Sequence, residues 1–158
     1  MEIPSKIILF IIAGLFLSYS SAQANISWKE HIIDDSSIGP PDLAGSDGLV
    51  MADLDKDGYL DIISVHELDT EYGFPEGYVR IAWGSQDPLT WISTTLASGS
   101  EAPSAEDVDV ADADGDGWLD IVVACELAHL VYFKNPTKHH RKVHWQRTIV
   151  RQLIFSCA

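Results

Sequence analysis

The sequence predicts an all-β fold, and three observations predict it. Beyond the N-terminal leader, no segment sustains an apolar period of 3.6 residues. Gly, Pro, Ser and Asp interrupt the chain every few residues, which leaves room for short strands between turns. The chain also repeats itself. Residues 52–67, ADLDKDGYLDIISVHE, align with residues 111–126, ADADGDGWLDIVVACE, 59 residues further on, and each copy runs from an aspartate-rich loop straight into an apolar strand.

The chain opens on an address. Residues 7–17 form one apolar run behind Lys6, too short to span a bilayer, followed by small polar residues and the small-x-small pattern Ala22-Gln23-Ala24. Residues 1–24 therefore read as a secretory signal peptide cleaved after Ala24, and the mature chain is expected to be secreted, extracellular or periplasmic, with no membrane span. It keeps 134 residues (158 minus 24), within the size of one domain. A net charge of −14 argues against nucleic acid and anionic membrane surfaces as partners. Cys125 and Cys157 are the only cysteines, so this is no disulfide scaffold. Asn25-Ile26-Ser27 fits a glycosylation acceptor.

Residues 25–150 form the repeat region. A tryptophan followed by strand formers recurs as WKEHII at 28, WISTTL at 91 and WQRTIV at 145, at spacings of 63 and 54 residues. Each unit is read as a tryptophan strand, a polar loop, the aspartate loop, a buried strand (62–65 or 121–124) and an alternating strand, GYVRIAWG at 77–84 or AHLVYFKN at 128–135. An insertion rich in Glu, Gly and Pro, 69–76, separates the last two in the first unit. The units run over about 28–90 and 91–144, a third starts at Trp145, and 151–158 is a tail. Units of 54 to 63 residues with about four short strands suit propeller blades, so the chain holds roughly two blades of a partial propeller. Strands 62–65 and 121–124 are apolar on both faces and demand cover on two sides, whereas a lone pair of blades covers one side of each. The expected outcome is association of three or four copies into a ring, further blades, or a marginally folded chain with open edges.

The aspartate loops, DLDKDGYLD at 53–61 and DADGDGWLD at 112–120, set carboxylates at positions one, three, five and nine and glycine at six. Like charges 4 Å apart repel by roughly 4 kcal/mol at an effective dielectric constant near 20, so a cation is expected among them. Calcium takes six to eight oxygens, which a tight loop can supply from alternate side chains where glycine permits the bend. The first site would use Asp53, Asp55, Asp57, the carbonyl of Tyr59, and Asp61. The second would use Asp112, Asp114, Asp116, the carbonyl of Trp118, and Asp120. An EF-hand needs a bidentate glutamate at position twelve, and here that position is Ser64 or Val123. Two such loops in register also argue against plain solvated turns.

The loops, with the LDI and short apolar strand that follow them, resemble FG-GAP/VCBS repeats, the blades of integrin α-type β-propellers. The resemblance covers about 28–150 and implies calcium held at blade edges by the residues just named. It implies a calcium-stabilised binding or adhesion module with a protein or carbohydrate ligand and no catalysis of its own. The alternative is a fragment of a secreted carbohydrate-active or lyase-type propeller enzyme.

For that alternative the sequence offers Glu67, His66 and Glu126 at strand ends, where a His–Glu pair could do acid/base work, although water-facing strand ends are the simpler reading. Cys125 reads as packing. The basic stretch KHHRKVH at 138–144 could bring His139, His140 and His144 to zinc, but adjacent residues on a hairpin point to opposite faces, and a solvated turn is the expectation. Of Trp28, Trp83, Trp91, Trp118 and Trp145, the three that recur at one repeat position are expected to pack between blades.

Overall fold

The computed structural model describes residues 27–43, 45–68, 76–126 and 129–152. The chain divides into two compact units, residues 1–30 and 31–158. The predicted signal peptide, most of the 69–76 insertion and Cys157 lie outside the described residues. Among the described residues no helix is long and apolar enough to cross a membrane.

The second unit carries eight strands: β1 Gly48–Ala52, β2 Asp61–Leu68, β3 Glu76–Trp83, β4 Ile92–Gly99, β5 Ala105–Ala111, β6 Asp120–Cys125, β7 His129–Lys134 and β8 Gln146–Gln152. They form two four-stranded antiparallel meanders, β1-β2-β3-β4 and β5-β6-β7-β8. The fold is all-β, with two successive sheets arranged as a partial propeller. Each aspartate loop closes the first hairpin of its sheet at the same register, Ala52 opposite Asp61 and Ala111 opposite Asp120. The bulges repeat too: β3–β4 slips between Val79 and Arg80, and β7–β8 slips between Leu130 and Val131, the equivalent place in the repeat. Such bulges increase the local twist of an outer strand.

The sheets are out of phase with a repeat counted from its tryptophan. The strands after Trp91 and Trp145 are the last of their sheets, so β8 completes the second sheet instead of opening a third unit. The stretch at 28–33 forms no strand. The first strand of each sheet, β1 or β5, lies in what reads as polar loop. In β5, AEDVDVA, Val108 is buried while Asp109 is exposed, so the period of two is present but carried by acids on one side.

The two sheets bury opposite faces of equivalent strands. From the first sheet come Ile63, Val65, Val79, Ile81 and Trp83; from the second come Val108, Ile121, Val123, Val131 and Phe133, in one core cluster. Ile63 in β2 is equivalent to Val122 in β6, yet the second sheet turns Ile121 and Val123 inward, which explains why both strands read as apolar on both faces. Full burial of one such side chain contributes about 1.5–3 kcal/mol. Backbone approaches close enough to require glycine fix the contact. A Cβ at Gly48 would lie 2.8 Å from the Asp107 Cα, and one at Gly77 would lie 2.4 Å from the Ala102 carbonyl oxygen.

The outer face of the first sheet is covered by residues 31–43. Asp34 there accepts from Arg80 Nε at 2.7 Å and Nη2 at 2.8 Å, while Arg80 Nη1 donates to Thr95. Both members of this fork are nearly buried. Tyr78 donates its hydroxyl to Asp42 at 2.7 Å. The tryptophans depart from expectation. Trp83 and Trp145 are buried, Trp91 is half-buried with its indole N–H on the Pro88 carbonyl, and Trp28 is 90% exposed. Position in the repeat therefore does not decide tryptophan burial; Trp83 enters the core because it shares the inward face of β3 with Ile81.

Candidate metal centres

The two aspartate loops have one backbone design. Position four has positive φ in both, Lys56 at 59° and Gly115 at 78°, and position six is glycine at φ 93° and 88° for Gly58 and Gly117. At position four the left-handed backbone admits lysine at some cost; at position six a Cβ would meet no neighbour, and it is the φ itself that strains a side chain and favours glycine. The first aspartate of each loop accepts from the position-six amide, Asp53 from Gly58 N at 3.0 Å and Asp112 from Gly117 N at 2.9 Å. The fifth-position aspartate accepts from the residue two further on, Asp57 from Tyr59 N and Asp116 from Trp118 N. These short-range bonds hold the carboxylates on one side of the loop.

The ninth aspartates differ from the rest because they begin the following strand and are fully buried. Asp61 accepts from Leu54 N at 2.9 Å and Gly84 N at 2.9 Å, tying its loop to the turn after β3. Burial pushes its carboxyl up to about 6, against the pull of those two amides. Asp120 repeats the pattern with Ala113 N at 3.2 Å and Asn135 N at 2.8 Å, and also accepts the Tyr132 hydroxyl at 2.8 Å. Burial, followed by that hydrogen bond, pushes Tyr132 up to about 12.

Two triplets result. Asp53, Asp55 and Asp57 bring oxygens within 4.8 Å of one another, as do Asp112, Asp114 and Asp120. The grouping thus joins Asp120 to its loop but leaves Asp61 outside the first triplet and Asp116 outside the second. Asp55 Oδ1 is buried and has no hydrogen-bond partner. Cations of the protein reach both triplets. Arg141 Nη2 lies 2.7 Å from Asp55 Oδ2 and 2.9 Å from Asp57 Oδ2, and Lys134 Nζ contacts Asp114 and, at 3.4 Å, Asp116.

The loops are also stitched to each other. Lys56 Nζ donates to the Gly117 carbonyl at 2.7 Å and lies 4.2 Å from the Trp118 ring centroid. Trp118 packs against His140, with centroids 4.7 Å apart. Buried Asn135 donates to the carbonyls of Leu54 at 3.1 Å and Leu119 at 2.9 Å, one from each loop, and its Oδ1 faces His140 Nδ1 at 2.7 Å. Burial holds His140 below the usual imidazole range. The basic stretch 138–144 is therefore only partly the solvated turn expected of it: Lys138, His139, Lys142 and His144 are exposed, while His140 and Arg141 pack against the loops. Among the described residues its histidines do not assemble into a metal-ligating group.

Glu67 and Glu126 come together with a residue that sequence reasoning missed, Glu106 of β5, all three within 4.8 Å. Burial, followed by the charge of Glu67, raises the Glu106 carboxyl. His66 is buried, 3.0 Å from Ser64 Oγ. Cys125 is buried and free, its thiol pushed up to about 11 by burial, consistent with packing.

Successive antiparallel sheets packed by opposite faces, each with an acidic loop closing its first hairpin, define a propeller-type repeat protein. Residues 68–123 match the model of the FG-GAP-like repeat, so the chain carries a repeat of that kind. The match starts at the end of β2 and runs through the second aspartate loop into β6, one full repeat length spanning the junction between the sheets. No curated protein and no solved structure gives a significant match.

Proposed function

We propose that the chain is a secreted calcium-binding repeat module in which calcium is structural and the sheet surfaces serve to bind a protein or carbohydrate ligand. The observation that carries the calcium reading is Asp55 Oδ1, a buried carboxylate oxygen without a donor in the middle of an all-oxygen triplet. A buried, unpartnered carboxylate oxygen costs free energy that a hard cation relieves. The first centre would be held by Asp53, Asp55 and Asp57 with the Tyr59 carbonyl, and the second by Asp112, Asp114 and Asp120 with the Trp118 carbonyl and Asp116. Asp61 keeps its loop in shape through Leu54 and Gly84. The ion would supply charge neutralisation and no chemistry. The FG-GAP-like repeat supports the extracellular setting as a matter of kind.

The test is thermal unfolding of the mature chain in calcium and in excess chelator. With a Kd of roughly 0.1–1 mM, 10 mM calcium contributes about 1.4–2.7 kcal/mol per site. That corresponds to a rise in Tm of several degrees per site, on the order of 5 °C. Superimposable melting curves with calcium and with chelator would refute the calcium reading.

A further inference from the structure

The two aspartate loops, alike in backbone, are served by different cations from different places. Lys134 belongs to β7, in the same sheet as the second loop, and is 38% exposed. Its ammonium is a strongly hydrated point charge on a flexible stem, readily given up to water. Arg141 belongs to the connection between β7 and β8 of the second sheet, yet it reaches the first loop, 86 residues away in sequence. Its Nε donates to Asp55 at 2.8 Å and its Nη2 to Asp57 at 2.9 Å, so one planar fork engages two of the three carboxylates of the triplet. The guanidinium carbon also lies 5.1 Å from the centroid of the Trp83 ring.

The segment that delivers Arg141 is anchored on both sides of it. His140 is fixed between the Asn135 side chain and the Trp118 ring, its carbonyl accepts the Trp145 indole N–H at 3.1 Å, and a turn joins Lys142 N to the His139 carbonyl at 2.8 Å. Arg141 therefore arrives with little rotamer freedom left to lose, and a forked, charge-assisted pair of this kind is stronger than a lone ammonium contact. Calcium and Arg141 call on the same two carboxylates: Arg141 holds Asp55 Oδ2 and Asp57 Oδ2, leaving Asp55 Oδ1 to the ion, and two cations sharing these groups repel one another.

Resting on the calcium reading above, we propose that Arg141 sets the order in which the two loops take calcium: it competes for Asp55 and Asp57, so the second loop fills first, and filling the first loop expels Arg141. The first loop then reports calcium to the β7–β8 connection of the neighbouring sheet, a coupling the second loop lacks.

The experiment is calcium titration of the full mature chain by calorimetry in two backgrounds. In Asp112→Asn/Asp114→Asn only the first loop remains, and adding Arg141→Gln is expected to tighten calcium binding by roughly tenfold or more. Arg141→Lys, which keeps the charge without the fork, is expected to fall between the two and serves where the glutamine variant folds poorly. In Asp55→Asn/Asp57→Asn only the second loop remains, and Arg141→Gln should leave its affinity unchanged within about twofold. In parallel, the Arg141 Nε–H resonance should move as the first loop fills. Equal first-loop affinity with and without Arg141, or a resonance that stays put while that loop takes up calcium, overturns the proposal alone. No calcium uptake in any variant overturns the calcium reading and this proposal with it.

Discussion

Replacing Asn135 with alanine should destabilise the fold while leaving every carboxylate of the two candidate metal centres in place. Asn135 is fully buried, and its amide nitrogen donates to the Leu54 carbonyl in the first loop and the Leu119 carbonyl in the second. Alanine keeps the backbone amide that Asp120 accepts from but leaves both carbonyls without this donor. Its oxygen also accepts from Thr137 N at 3.0 Å and meets His140, but those partners are half-buried and reach water more easily. Counting the two carbonyls alone, the loss is about 2–4 kcal/mol. For a unit of this size that lowers Tm by roughly 6–15 °C. Asn135→Asp should cost more, since a carboxylate oxygen would then face two carbonyls. Melting followed by circular dichroism, once in calcium and once in chelator, checks it: the decrement should be the same in both. A decrement under about 2 °C, or one seen only in calcium, would refute the view that Asn135 joins the two repeats independently of metal.

Other consequences can be measured the same way. Asp34→Ala strands the nearly buried Arg80 guanidinium and should cost about 3–5 kcal/mol, whereas Asp34→Leu combined with Arg80→Met should recover much of that; equal stability of the single and double variants would count against it. His140 has a lowered pKa, so the stability it contributes is present above the unfolded value and is lost as pH falls through the folded one. Between pH 7 and 5 the wild-type chain should therefore lose more stability than His140→Gln, and parallel pH curves would contradict this. In a Cys157→Ser background, Cys125, buried with its thiol near 11, should react with iodoacetamide at pH 8 only as fast as the fold opens. Labelling at the rate of a free thiol would show the site to be open.

What the sequence made legible was what it wrote locally. The carboxylates at alternate positions, the sixth-position glycines and the strands that follow stand within sixteen contiguous residues, and the structure places both loops on equivalent hairpins. Strand β5 was hidden because Glu106, Asp107 and Asp109 disguise a period of two as an acidic loop, and β1, only GLVMA and opening on glycine, is too short and too uniformly apolar to show a period. Asp61 reads as one more ligand; in the structure it is buried and accepts from two amides, as Asp120 does, but its oxygens fall outside the acidic triplet of its loop, which spacing alone cannot show. Arg141, Asn135 and Glu106 left no local signal, since each acts on residues far along the chain, in Arg141's case 86 positions away. A basic stretch beside an acidic protein carries a faint hint of such a contact, but charge alone does not say which loop it serves.

Gly48 and Asp107 hold the same place in the repeat, five residues before their aspartate loops. Where the first sheet receives the second, Gly48 lets the facing backbone come to within van der Waals touch of the strand. Asp107 itself lies at that contact, its Cα and Oδ1 against Gly48, while Asp109 is exposed on the second sheet where the first has Val50. A further sheet could not settle there by the same handshake without burying a charge, which is costly when unpaired. Copying the contact between the two sheets onward over Asp109 therefore carries a cost in charge burial, which acts against the open-ended stacking that turns self-complementary repeats into fibres.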